Sequence, residues 1–232
     1  MKKFLSSIIE YLINVIDLYH QNRIKRFYNS FNLDLVIDVG SHKGEFINSV
    51  LTKNIPIYSF EPNPAVMIFL KENTKLFNVI SYFDYAITDK DGNIEFFVNH
   101  LSSTSSLSAP NDKSFWIKFK KLILGSNELI KETISVKAKK LDSILLDEIK
   151  NYHNALLKID VEGSEGRALY GARKIIGTGN IKFIQIEQAT FDIYKDTDHN
   201  PNKILNELGF IAVQRFRFPL LNFSDVIFQK VN

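Results

Sequence analysis

From Leu35 onward the sequence alternates between two hydrophobic periods, and this restricts the fold more than any single residue does. LVIDV at 35–39 and IYSF at 57–60 are short strand-forming runs, each followed by a longer segment of helical period. ALLKI at 155–159 and IKFIQI at 181–186 repeat the pattern, with Ala168, Leu169, Ala172, Ile175 and Ile176 lining the helix between them. Strands joined by helix-length connections pair in parallel and need cover on both faces, so the chain is expected to form a mostly parallel α/β sheet with helices on either side.

Local signals punctuate this pattern. Phe46, Ile47, Val50 and Leu51 form the buried face of the first crossover helix. In EPNP, Asn63 is a helix cap and Pro64 takes the first helical position, where its missing N–H costs nothing, with the helix running to about Leu76. Val79–Phe83 reads as a third strand, Asp91-Gly92 as a turn, Ile94–Val98 as a strand, and NHLSSTSSLSAPND as an irregular loop. Phe115, Trp116 and Phe119 suggest a helix, Thr133–Ala138 alternates as a strand, and Leu141–Ile149 reads as a helix. Phe210–Phe216 and Val226–Val231 follow the helix ending at Ile204–Leu208 with no helix between them, so one of this final pair runs antiparallel. The division is an amino-terminal extension, 1–30, and a single domain, 31–232.

The extension, MKKFLSSIIEYLINVIDLYH, looks at first like an export signal. Glu10 and Asp17 interrupt its apolar run, no small-residue cleavage site follows, and the uninterrupted part is far short of the roughly 20 residues that span a bilayer. It reads as an amphipathic helix with two uses open: packing on the domain or a second copy, or peripheral attachment to a membrane surface. The chain holds no cysteine, which removes disulfides and thiolate metal sites and is compatible with the cytoplasm. A net charge of +3, scattered in small lysine groups, describes a solvated surface rather than a nucleic-acid stripe.

In an open parallel sheet, ligands sit beyond the carboxyl ends of the strands, so the residues there matter most. After the first strand comes DVGSHKG, in which Gly40 and Gly44 permit positive φ and close approach of a ligand to the backbone. Glu61 ends the second strand about 20 residues beyond Gly40, where an acid meets ribose hydroxyls in nucleoside-binding units. His42 stands where a dinucleotide fold needs another glycine for a pyrophosphate, and Asp38 would repel phosphates but suit an ammonium. A cationic amino-acid nucleoside, S-adenosylmethionine, satisfies both conditions. Lys158, Asp160 and Glu162 alternate at the end of the fourth core strand, and Glu187 ends the fifth. Converging carboxylates of this kind favour an active site; pairing with Lys158, Arg167 or a helix N-terminus is the structural alternative. A divalent ion on Asp160, Glu162 and Glu187 is chemically reasonable, but no convincing further ligand is visible and none is assigned.

VIDVGSHKGEF, YSFEPNP, DYAITDKDG, and LLKIDVEGSE followed by LYGA together resemble the FkbM-type S-adenosylmethionine-dependent methyltransferases. The resemblance runs from about Leu35 to the carboxyl end. It implies a Rossmann-like class I methyltransferase fold with a seven-stranded sheet and an antiparallel last strand, and methyl transfer to an oxygen of a sugar, glycan or secondary metabolite. By motif match it implies that Asp38, Gly40, Ser41 and Gly44 contact the methionine part of the donor and Glu61 its ribose, with Asp84 and Ala86 near adenine. Lys158, Asp160, Glu162 and Glu187 form the catalytic set, one carboxylate accepting the acceptor's proton. Ser105 and Ser106 either help close the site or belong to a solvated loop.

Overall fold

The structure, a computed structural model, describes residues 2–99, 105–107, 130–189, 199–218 and 223–231, with side chains from Val15 on. The element order is α1 (Lys2–Tyr28), β1 (Leu35–Val39), α2 (Glu45–Val50), β2 (Ile57–Phe60), α3 (Pro64–Asn73), β3 (Val79–Phe83), β4 (Tyr85–Ile87), β5 (Gly92–Asn99) and β6 (Ile130–Lys139). There follow α4 (Asp142–Leu145), a 3-10 turn (Glu148–Asn151), β7 (Ala155–Ile159), α5 (Glu165–Gly171), α6 (Arg173–Gly177), β8 (Ile181–Ala189), α7 (Pro201–Glu207), β9 (Phe210–Arg217) and β10 (Phe223–Lys230).

Seven strands form one sheet in the order β3-β2-β1-β7-β8-β10-β9. All pairs are parallel except those of β10, which runs antiparallel to both β8 and β9. The chain moves outward from β1 to β3 and later returns to the other side of β1 as β7, so the strand order reverses between β1 and β7. That switch point is where such sheets bind ligands. A second sheet, β4-β6-β5, was not foreseen as a unit; β4 has only three residues, too few to show a period.

The two faces have different chemistry. On one, Leu35, Ile37, Leu157 and Ile184 pack with Ala168, Leu169, Leu145 and Ile149 in an apolar core. On the other, Val36, Leu156, Phe183 and Ile227 pack under α1 and α2 through Ile24, Tyr28, Phe46 and Ile47. Side chains alternate between faces along a strand, so Asp38, Lys158, Gln185 and Asp225, two residues from those four, share the second face.

The amino-terminal helix is docked on the domain. Ile24 is fully buried and Tyr28 nearly so, each contributing about 1.5–3 kcal/mol of apolar burial. The expected helix over Leu141–Ile149 is instead α4 and a separate 3-10 turn, with a break at Leu146-Asp147. Most of the serine-rich loop and the segment with Phe115, Trp116 and Phe119 lie outside the described residues. Among the described residues no helix is long and apolar enough to cross a membrane.

Candidate active site

The turn after β1 is built by conformations few residues tolerate. Gly40 (φ 79°), His42 (φ 46°) and Gly44 (φ 85°) are all left-handed. A Cβ on Gly40 would stand 1.9 Å from the carbonyl oxygen of Asp160, and one on Gly44 would stand 2.5 Å from Thr74 Cγ2. These glycines therefore let β1 lie against the end of β7 and α2 against the end of α3, a requirement beyond the positive φ and ligand approach read from the sequence. Ser41 Oγ donates to the Asp38 carbonyl at 2.9 Å and receives the Ser59 hydroxyl at 2.7 Å. Ser41 is thus a buried brace, and its backbone N–H is likewise taken, by the Phe60 carbonyl at 3.0 Å.

Glu61 closes the same turn from β2. Its Oε2 accepts the His42 N–H at 3.1 Å and its Oε1 the Asn63 N–H at 2.8 Å. Each carboxylate oxygen has a second lone pair, so hydroxyl donors can still be received. Burial raises its pKa to about 7 against the pull of these backbone donors. His42 is held to Glu45 through Nδ1 at 2.9 Å and is engaged on the loop.

Asp38 does not face a ligand as expected. Its side chain is fully buried, and Lys158 Nζ stands 3.3 Å from Oδ1. Lys158 also lies 3.2 Å from Asp160 Oδ2 and donates to the Gly40 carbonyl at 3.4 Å. Burial alone would lower the Lys158 pKa, but Asp38 and Asp160 overcome this and raise it, keeping the ammonium charged. The strand register explains the trio: Ser59, Asp38, Lys158 and Gln185 are successive partners across β2, β1, β7 and β8.

Beyond β7 the chain turns through Glu162 (φ 51°) and Gly163 (φ 93°), which brings acids together. Carboxylate oxygens of Asp160, Glu162 and Glu187 all lie within 4.8 Å of one another, a spacing that could hold a divalent cation as well as a hydroxyl proton. Burial, then Asp160 and Glu162, push the Glu187 pKa well up. Glu165, whose Oε1 accepts the Gly163 N–H at 2.9 Å, is raised by burial to about 7. Ser106 is buried and its hydroxyl donates to the Glu162 carbonyl, so the segment after β5 is tied to this turn. Arg167 pairs with Asp89 at 3.1 Å instead of with the cluster.

The two residues expected near adenine follow β3 directly. Asp84 is largely exposed with Lys137 at 3.7 Å, and Ala86 is packed with Phe96, Val98 and Val136 in the small sheet. Conversely, a buried network went unread: Asp225 accepts from Gln185 Nε2 at 2.7 Å and meets His20 Nε2 at 2.7 Å, while Tyr28 donates to Gln185 Oε1 at 2.9 Å. Asp225 faces Glu187 across β10 and β8. The available signal was a lone acid in the apolar run FSDVIF and the alternation of IQIEQ.

This sheet order, with a glycine turn and an acid at the ends of neighbouring strands, defines the class I methyltransferase fold. Magnesium protoporphyrin IX methyltransferase from Synechocystis PCC 6803, solved with bound S-adenosylmethionine, superposes with a TM-score of 0.53 and 10% identity over 94% of this chain and 82% of that one. Precorrin-6y C5,15-methyltransferase from Geobacter metallireducens gives 0.45 and 12% identity over 91% and 87%. At 10% identity the likeness to the Synechocystis enzyme is one of fold. No curated protein matches in sequence. The chain belongs to the FkbM methyltransferase family, whose domain, the methyltransferase FkbM domain, matches residues 38–217.

Proposed function

We propose that the protein methylates an oxygen of a sugar, surface glycan or secondary-metabolite hydroxyl. The observation that carries this is the convergence of Asp160, Glu162 and Glu187 next to the Gly40 turn. Clustered carboxylates accept hydrogen bonds from hydroxyl groups and can take the proton released on attack. The segment after β7 reads DVEG and lacks the Asn/Asp-Pro-Pro-aromatic turn suited to exocyclic amines of nucleobases.

S-adenosylmethionine supplies, when bound, a methyl group made electrophilic by its sulfonium. Glu61 fits its ribose, since a buried carboxylate with unused lone pairs sits at the end of β2. The Gly40–Gly44 turn is assigned to the methionine part by its motif, its own N–H groups being bonded within the protein. Glu187 is assigned the proton acceptor, because burial and its acidic neighbours favour its protonated form, so that once ionised it takes up the hydroxyl proton. A positioned base contributes about 10²- to 10⁴-fold, and fixing the acceptor oxygen in line contributes up to roughly 7–11 kcal/mol in ideal geometry.

The test is incubation with methyl-labelled donor and a panel of glycans and hydroxylated metabolites. Label should enter a hydroxyl, and Glu187→Gln should slow transfer about 10²- to 10⁴-fold. Label entering only RNA or DNA would overturn the assignment.

A further inference from the structure

Beneath the glycine turn, two carboxylates share one cation. Lys158 lies between Asp38 and Asp160 at 3.3 and 3.2 Å and also holds the Gly40 carbonyl. The trio therefore carries one uncompensated negative charge. Asp38 cannot present it, being fully buried, whereas the Asp160 side chain is 33% exposed. Asp160 also borders the turn directly. Its N–H donates to the Val39 carbonyl at 3.0 Å, and its own carbonyl fills the space that Gly40 leaves free.

We infer that Asp160, and not Asp38, receives the α-ammonium of the methyl donor, with Lys158 as the positioning residue that fixes its carboxylate. The assignment rests on the donor-binding function proposed above and gives one of its carboxylates a separate role. Lys158 pairs with the Asp38 carboxylate, which burial closes to a ligand, and donates to the Gly40 carbonyl. A ligand ammonium arriving at Asp160 offsets the trio's excess charge beside the further acids Glu162 and Glu187, while a phosphorylated ligand would add charge of the same sign. Discrimination for a cationic amino-acid nucleoside then comes from the Asp38–Lys158–Asp160 relay. Proton acceptance is left to Glu187 and Glu162, since the Asp160 carboxylate is engaged by Lys158 and the ammonium.

Calorimetry on the full chain, with EDTA present so that no metal ion supplies the charge, separates these roles. The probes are S-adenosylhomocysteine, its deaminated analogue, and 5′-methylthioadenosine, which lacks the amino-acid end. The wild type should bind S-adenosylhomocysteine roughly 10- to 100-fold more tightly than the deaminated analogue, the usual worth of a hydrogen bond to a charged group. Asp160→Asn should bring the two within about threefold while leaving methylthioadenosine affinity unchanged, which also shows that the variant is folded. Asp160→Glu should restore the preference, and Asp38→Asn, which leaves Lys158 balanced by Asp160 alone, should reduce it without abolishing it. Equal affinity of the wild type for both compounds, or a preference that survives in Asp160→Asn, overturns the ammonium assignment and leaves donor binding standing. A wild type that binds none of the three overturns both.

Discussion

At the scale of single residues, the turn after β1 stands on groups whose alternatives are costly. Alanine at Gly40 meets both the left-handed φ of 79° and the Asp160 carbonyl, so Gly40→Ala should lower unfolding free energy by more than about 2 kcal/mol in denaturant titration. Glu61 makes a prediction with a sign. Burial raises its pKa from 4.5 to about 7, so the native state holds a proton that the unfolded chain releases earlier. Its contribution to stability is therefore complete at low pH and is lost as pH rises through about 7. Glu165, also raised to about 7, adds in the same direction. The melting temperature of the ligand-free protein should fall between about pH 5 and 8, and Glu61→Gln should flatten that slope. Donor affinity should move the other way, rising as Glu61 ionises to receive ribose hydroxyls. Glu61→Ala should weaken donor binding by about 1–3 kcal/mol by calorimetry.

At the scale of elements, ions lie between strands and under α1. Replacing Lys158 with methionine leaves two carboxylates without their cation, a loss of about 3–5 kcal/mol for a buried pair. Adding Asp38→Asn should recover part of it, which a double-mutant cycle measures. α1 is anchored by the His20–Asp225 pair, so His20→Ala should cost about 1–3 kcal/mol and speed hydrogen exchange along residues 15–28. Sequence reasoning reached these elements unevenly. It could place Lys158 and Asp160 on one face of a strand, because alternation is local. It could not pair Lys158 with Asp38 or His20 with Asp225, because register and the docking of a helix depend on contacts across most of the chain. For the same reason it offered Asp38 to the ligand when the fold gives it to Lys158.

At the scale of the whole molecule, the parallel sheet was legible because apolar runs with glycine and proline punctuation repeat from Leu35 onward. The short β4 and the small sheet it helps to form were not, since three residues show no period. The switch point between β1 and β7 collects Gly40, Glu61, Lys158 and Asp160 from segments more than a hundred residues apart, and the function proposed here depends on that assembly. Titration of the full chain with S-adenosylhomocysteine tests it most directly. One equivalent should bind, with weakening in Glu61→Ala and no competition from a nicotinamide dinucleotide. Absence of binding, or displacement by the dinucleotide, would contradict a site shaped for a cationic amino-acid nucleoside.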